Sequence, residues 1–284
     1  MERDIIIIVE GGGMTVGFGI GVLESLQKQH IYSRIHSIYG SSAGAHDAAY
    51  FLSRQTDMGG EIPIEYLNNN KFIKKRKFKK FIKAVFYGKR YNLMHIDYLI
   101  NIEKHIEKLN VHTIKHSPIK LYFRVFNIDK LQSQIIDGKD HIFEGLTASS
   151  ACIPYFNTPV IIRGDRCADG SKMITKSLED IIVENKNKKI IYIINHKQSS
   201  TDAIFGYAFQ FLESFLIWRL YGFKLALKYA TSFDIIDLNK LKSHKNVILA
   251  VNNFSNDFIC TDKDKLTQLY EYGKHQGEKV SSCL

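Results

Sequence analysis

The stretch Ile38-Tyr39-Gly40-Ser41-Ser42-Ala43-Gly44-Ala45-His46-Asp47-Ala48-Ala49 decides how the rest of the chain is read. Gly40, Ser42 and Gly44 form a G-x-S-x-G pattern, with a short apolar run (residues 35–39) before it and an alanine-rich helical pattern (residues 43–52) after it. Strand, sharp turn and helix in that order are what a nucleophile elbow requires. The serine sits on the turn, and the residues two before and two after it must be nearly free of side chain. The helix N-terminus behind the turn favours negative charge. The same residues could make a glycine–serine turn with no chemistry, and the flanking elements weigh against that. Ser41 is adjacent, but only Ser42 is central in the pattern.

Working outward, Ile5–Val9 is a continuous β-branched run, expected of a central parallel strand buried on both faces. It leads into Glu10-Gly11-Gly12-Gly13-Met14-Thr15-Val16-Gly17 and then a helical pattern through Ile20, Val22, Leu23 and Leu26. Strand, glycine loop and helix cradle anions with backbone N–H groups. A dinucleotide fingerprint would need glycine where Val16 stands and an acidic residue where the next strand ends, at Gly40. The loop therefore reads as an oxyanion hole for an acyl-transfer serine, with no cofactor expected.

Beyond the elbow, residues 57–70 are polar and turn-rich, and residues 71–90 are strongly basic. Within the basic run, Phe78, Phe81, Ile82, Val85 and Phe86 follow the stripe of an amphipathic helix, while Lys79, Lys80 and Lys83 take its other face. A basic helix with an aromatic face suits an anionic membrane surface, with Lys75, Lys77, Lys79 and Lys80 as the contacts. A solvated face over ordinary core fits the same pattern, and both readings stay open. Nucleic acid ranks below them, because no recognised binding fold surrounds the patch.

Further on, a helix is expected over residues 92–109, and paired strands over Lys120–Asn127 and Gln132–Asp137. A small-residue helix is expected over 147–154, and strands over 159–163, 189–195 and Val247–Val251. Residues 203–230 are long and apolar enough to be weighed as a membrane span, but Glu213, Arg219, Lys224 and Lys228 interrupt them. One long or two shorter core helices are expected instead. A closing helix is expected over residues 263–273.

The 284 residues suffice for a substantial core, and no repeat or linker divides them, so one domain over residues 1–284 is expected. Cys152, Cys167, Cys260 and Cys283 are scattered without metal-ligand spacing, which argues against a zinc site and for a reducing compartment. The N-terminal apolar run is short and acidic-flanked, unlike a signal peptide. A cytoplasmic protein, soluble or peripheral on a membrane, is expected. The net charge of +10 points to an acidic partner.

With Gly11-Gly12-Gly13, Gly40-Ser-Ser-Ala-Gly44, Ala148-Ser-Ser-Ala-Cys-Ile-Pro-Tyr-Phe156 and Asp169-Gly170 in that order, the chain resembles patatin-like phospholipases, more narrowly the bacterial group. The likeness covers about residues 5–195, leaving residues 200–284 as a C-terminal helical cover. It implies a three-layer α/β/α sandwich with a mainly parallel central sheet. It also implies a metal-free serine–aspartate dyad acting on acyl esters of phospholipids or lysophospholipids. Carried over, Ser42 is the nucleophile, Asp169 its base and orienter, and Gly11, Gly12 and Gly13 supply oxyanion donors. Gly40 and Gly44 shape the elbow, and Gly170 completes the Asp-Gly motif. The chain departs from the family at Thr15 and Val16, where a basic residue and glycine are usual, and at Ser171. A valine resists positive φ, so the loop is expected to bend differently there, with Gly17 a candidate. Those departures leave two other readings open: a lipid-binding protein on the same fold, and an esterase of soluble esters. Asp137-Gly138 reads as a turn rather than as the dyad's aspartate. His46, at i+4 from Ser42, should point away from the serine hydroxyl. His196 is the candidate for a conventional serine–histidine triad.

Overall fold

In the computed structural model, residues 3–69, 71–170, 179–196, 202–231, 238–254 and 260–284 are described. In chain order the elements are β1 (Ile5–Val9), α1 (Gly17–Lys28), β2 (Ile35–Ser41), α2 (Ala43–Leu52), α3 (Thr56–Glu61), α4 (Phe78–Phe86), α5 (Ile96–His105), α6 (Val111–His116), β3 (Lys120–Asn127) and β4 (Gln132–Asp137). They continue with α7 (Ile142–Ser150), β5 (Val160–Ile162), β6 (Asp165–Asp169), α8 (Glu179–Glu184), β7 (Lys189–Ile194), α9 (Asp202–Tyr221), α10 (Phe223–Thr231), α11 (Leu238–Ser243), β8 (Val247–Val251) and α12 (Lys263–Ser282). The strands form one mixed sheet in the order β5-β6-β3-β2-β1-β7-β8, with β4 on the side of β3. Pairing is parallel from β3 through β8 and antiparallel for β4, β5 and β6.

Period-two alternation in a strand buried on both sides sends neighbouring side chains to opposite faces. Ile5, Ile7 and Val9 pack into the larger core with α1, α2 and α12, whereas Ile6 and Ile8 face Ile182, Tyr192 and Leu241 beneath α8 and α11. The result is helix, sheet, helix: the three-layer sandwich expected. The long apolar segment is two helices, broken at Gly222, whose φ of 92° ends α9. Among the described residues no helix is long and apolar enough to cross a membrane.

Several segments differ from the sequence reading: the small-residue helix expected over 147–154 spans Ile142–Ser150, and residues 165–169, where no element is expected, form β6. Residues 57–69 are mostly helical, as α3 and a single π turn over Ile62–Tyr66. The closing helix runs nine residues past Gly273, to Ser282.

One edge of β3 positions the chemistry. Its residues Lys120 to Arg124 pair with β2, and Val125 to Asn127 pair with β6, while β4 covers Tyr122 to Asn127 from the other edge. Strands β2 and β6 therefore lie end to end along the same side of β3 and run towards each other. Ser41 faces Arg124 and Asp169 faces Val125, on consecutive rungs roughly 3.4 Å apart along the strand.

Candidate active site

Ser42 caps α2 with φ 53° and ψ −129°, a conformation that a residue with a β-carbon rarely adopts. Strain of this kind costs about 1–3 kcal/mol and is stored where the surroundings hold it in place. The two flanking glycines do that by close approach. A β-carbon on Gly40 would stand 2.5 Å from the Ala45 Cα, and one on Gly44 would stand 2.5 Å from the Glu10 carbonyl oxygen. The elbow is thus clamped between its own helix and the end of β1. The Ser42 N–H donates to Ser149 Oγ at 2.8 Å, and Ser149 Oγ donates to the Arg124 carbonyl at 2.8 Å. The small-residue helix α7 is thereby tied to both the elbow and β3.

Asp169 closes β6, 3% exposed, with its N–H donating to the Ala151 carbonyl at 3.0 Å. Gly170 comes next, where a β-carbon would meet Arg124 Cγ at 2.9 Å and the Val125 backbone at 3.0 Å. Tyr229 of α10 lies within electrostatic range: burial first, then Glu213, and more weakly Cys152 and Asp169, push its hydroxyl far above the usual range. Its hydroxyl donates to Glu213. The rival Asp137-Gly138 ends β4, and the Gly138 N–H bonds the Leu121 carbonyl at the opposite end of β3 from Asp169.

The glycine loop leaves β1 beside the elbow, since Val9 pairs with Gly40. Gly11 and Gly12 are buried, and Gly13 is half-buried with φ 54°. Gly13 opens a short 3-10 turn over Gly13–Val16 that leads into α1. Val16 has an ordinary helical φ of −59°, and Gly17 is helical too. The bend expected from the valine is absent, because the left-handed position is Gly13. Thr15 closes the turn instead: its N–H and Oγ1 both donate to the Gly12 carbonyl, at 3.0 and 2.7 Å. Ser171 lies outside the described residues.

Beneath the loop, buried Arg124 donates to Glu10 Oε2 at 3.0 Å and to Ser41 Oγ at 3.1 Å, and Tyr192 donates to Glu10 Oε1 at 2.5 Å. This network fastens the C-terminal ends of β1, β2, β3 and β7 together. Composition marks Arg124 and Glu10 only as charges; that they pair comes from the strand order alone.

Ser42 and Gly13 open on a cavity of about 400 Å³. Its walls are largely apolar, with Ile62, Leu67, Phe72, Leu93, Leu99 and Tyr155 among them, and Phe78 of α4 stands in the lining. His46, Asp47, Glu103 and Ser150 form its polar side. His46 does not face an empty helix surface: its ring is held between Glu103 and Ser150. His196 comes after the end of β7, half-buried, and is not part of the cavity wall.

Basic helix α4 forms as expected, and its stripe divides. Phe81 and Val85 are fully buried against Leu93, Leu216 and Tyr155, while Phe78 and Phe86 remain exposed. Lys77, Lys79, Lys80 and Lys83 are exposed, and Lys75 begins the 3-10 turn ahead of the helix. Phe86 packs on Phe215, and Phe215 on Trp218 of α9, which is 46% exposed.

The chain is thus an α/β sandwich with a strained serine at a strand-to-helix elbow that lines an apolar cavity. The chain belongs to the patatin-like phospholipase family, whose model matches residues 7–174. Lipid hydrolysis in the broad sense comes with that membership. Among solved structures, it is similar to VipD from Legionella pneumophila, with 13% identity and a TM-score of 0.50, over 99% of this chain and 67% of that one. It is also similar to the type III effector protein ExoU, with 11% identity and a TM-score of 0.42, over 99% of this chain and 53% of that one. A further match is the ExoU–SpcU heterodimer of the type III secretion system of Pseudomonas aeruginosa, with 11% identity, 99% and 52% coverage and a TM-score of 0.41. The chain thus spans about half to two thirds of the length of these proteins. No curated protein sequence matches it.

Proposed function

We propose that the protein is a lipid acyl hydrolase of phospholipase A or lysophospholipase type, with Ser42 as nucleophile and Asp169 as its base. The observation that carries this reading is the head-on meeting of β2 and β6 along β3: Ser41, the residue before the elbow serine, pairs with Arg124, buried Asp169 pairs with Val125 on the next rung, and Ser42 itself lines an apolar cavity. A serine hydroxyl is a weak nucleophile until a neighbouring base takes its proton, and a carboxylate in a largely desolvated site can serve. Ser42 Oγ attacks the ester carbonyl carbon while Asp169 accepts the proton. Backbone N–H groups of the Gly11–Gly12–Gly13 loop hold the developing oxyanion, a contribution of about 3–4 kcal/mol per donor in comparable sites. Collapse expels the lyso-lipid or alcohol, and water then releases the fatty acid.

The substrate reaches this site from a membrane surface. Helix α4 contributes Phe78 to the cavity lining and exposes Lys79, Lys80 and Lys83, and Phe86, Tyr87, Trp218 and Phe223 are exposed as well. Cation and aromatic together suit an anionic interface better than either alone.

The test is fluorophosphonate labelling and phospholipid turnover of the wild type beside Ser42→Ala and Asp169→Asn. Both variants should retain vesicle binding and lose turnover by roughly 10⁴-fold or more, as removal of a nucleophile or its partner does elsewhere. Equal vesicle binding by all three proteins, with turnover in none, would instead favour a lipid-binding protein on a hydrolase fold. Turnover of monomeric esters with no gain at micelles would favour a soluble esterase.

A further inference from the structure

Glu103 of α5, His46 of α2 and Ser150 at the end of α7 stand in line along the polar side of the cavity. His46 Nδ1 lies 2.5 Å from Glu103 Oε1, and His46 Nε2 lies 2.7 Å from Ser150 Oγ. An ionised carboxylate accepts from Nδ1–H, which leaves the Nε2 lone pair facing the serine hydroxyl. Nucleophile, base and orienter in that order are the working parts of a serine triad, recognised by geometry and role rather than by position in the chain.

Packing does not explain the arrangement. Glu103 is fully enclosed, and its second oxygen, Oε2, has no hydrogen-bond partner. A buried carboxylate kept only to brace a histidine is ordinarily satisfied at both oxygens, and three apolar side chains would fill the same wall at lower desolvation cost. The Ser42–Asp169 reaction uses none of the three groups, yet all of them line the cavity that Ser42 lines.

We infer that Ser150, His46 and Glu103 form a second acyl-transfer centre, acting on the same class of acyl ester from the polar side of the cavity. The inference rests on the cavity being acyl-binding and not on the role of Ser42. Ser150 Oγ forms a bond to the ester carbonyl carbon as His46 Nε2 takes its proton, and Glu103 stabilises the imidazolium. The tetrahedral intermediate collapses by breaking the ester C–O bond, and His46 returns the proton to the leaving alkoxide. Water, deprotonated by the same histidine, then frees the acid and restores Ser150, so that ester and water become acid and alcohol.

The experiment maps the serines that react with a small fluorophosphonate such as diisopropyl fluorophosphate. Tryptic peptide 35–54 carries Ser42 and peptide 140–163 carries Ser150, so mass spectrometry separates the two sites. In Ser42→Ala, shown by thermal melting to be folded, label is expected on Ser150. It should fall at least tenfold in rate with Glu103→Gln added and vanish with His46→Asn added. Ser42→Gly serves if the alanine variant does not fold, since glycine suits the positive φ at that position. Absence of label on Ser150 in folded protein overturns the inference, and so does label that persists without His46. Loss of label from peptide 35–54 in the wild type speaks against the Ser42 reading alone, so the two failures are distinguishable.

Discussion

Asp47 is the next residue after His46 in α2, buried, with its Oδ2 lacking a hydrogen-bond partner. Burial without a compensating charge raises its pKa well above the ordinary carboxylate value. Its neighbour across the backbone is Asn195, whose Oδ1 is likewise buried and unpartnered. Both oxygens lie within 2.7 Å of where a β-carbon on Gly19 would stand. Two facing acceptors are tolerable when one of them carries a proton. In the unfolded chain Asp47 titrates near 3.9, so above that pH the unfolded state releases this proton while the folded state keeps it. The stability Asp47 contributes is full below about pH 4 and drains away as pH rises towards the folded pKa, by about 1.4 kcal/mol per pH unit across that window. Asp47→Asn holds the neutral shape at every pH. The melting-temperature advantage of the variant over wild type should therefore grow between pH 5 and pH 8, and an advantage flat with pH would mean that Asp47 titrates normally. At this scale the sequence reveals what is local. Ser42 can be read because its glycines sit two residues away on either side. The partners of His46 cannot, because Glu103 and Ser150 lie 57 and 104 positions on and meet it only through the packing of α2, α5 and α7.

Helix α4 shows what periodicity conveys about an element and where it stops. Its limits, Phe78–Phe86, coincide with the apolar stripe, but the stripe alone does not tell that Phe81 and Val85 go to core while Phe78 and Phe86 stay in solvent. That division depends on α9, which arrives from more than a hundred residues away to cover the middle of the stripe. The two faces make separable predictions for vesicle binding. Replacing Lys75, Lys77, Lys79 and Lys80 with glutamine should weaken sedimentation with anionic vesicles by roughly two orders of magnitude at low salt, with the gap closing at high salt. Phe86→Ala with Trp218→Ala should weaken binding to neutral and anionic vesicles alike, independently of salt. Unchanged sedimentation in the lysine variant would leave α4 as a solvated surface helix. Helix α3 escapes a reading from sequence for a related reason. Gly59 and Gly60 look like breakers in a polar stretch, yet they let the helix settle against Tyr50 and Tyr270, which come within 2.8 and 2.6 Å of their missing β-carbons. Strand β6 escapes it because Asp165 and Arg166 interrupt any apolar alternation; its place comes from pairing with β3.

Across the whole molecule, the family-matched segment ends at residue 174, yet the sheet and the site depend on residues beyond that point. Strand β7 pairs with the whole of β1, β8 extends the sheet, and Asn195 donates to the Glu10 carbonyl at the root of the glycine loop. The tightest seam joins the two ends of the chain. Helix α12 lies on α1 so closely that a β-carbon on Gly273 would stand 2.2 Å from the Phe18 carbonyl oxygen, and one on Gly21 would stand 2.3 Å from that of Tyr270. Tyr270 donates to buried Glu24 of α1, and Lys28 and Lys274 flank that carboxylate. Burial raises the Glu24 pKa, but the hydrogen bonds and cations around it lower the pKa further, so the carboxylate stays charged at the seam. In an isolated helix, Gly273→Ala would gain up to about 1 kcal/mol from propensity. Here the added methyl meets backbone that cannot rotate aside, and the overpacking penalty of about 1–3 kcal/mol should win. If the whole chain folds as one unit, as the shared sheet implies, Gly273→Ala lowers the midpoint of a single unfolding transition followed equally by far-ultraviolet circular dichroism and by loss of Ser42 labelling. Two separate transitions, with only the second probe unaffected, would show instead that α12 docks on a core that folds and works without it.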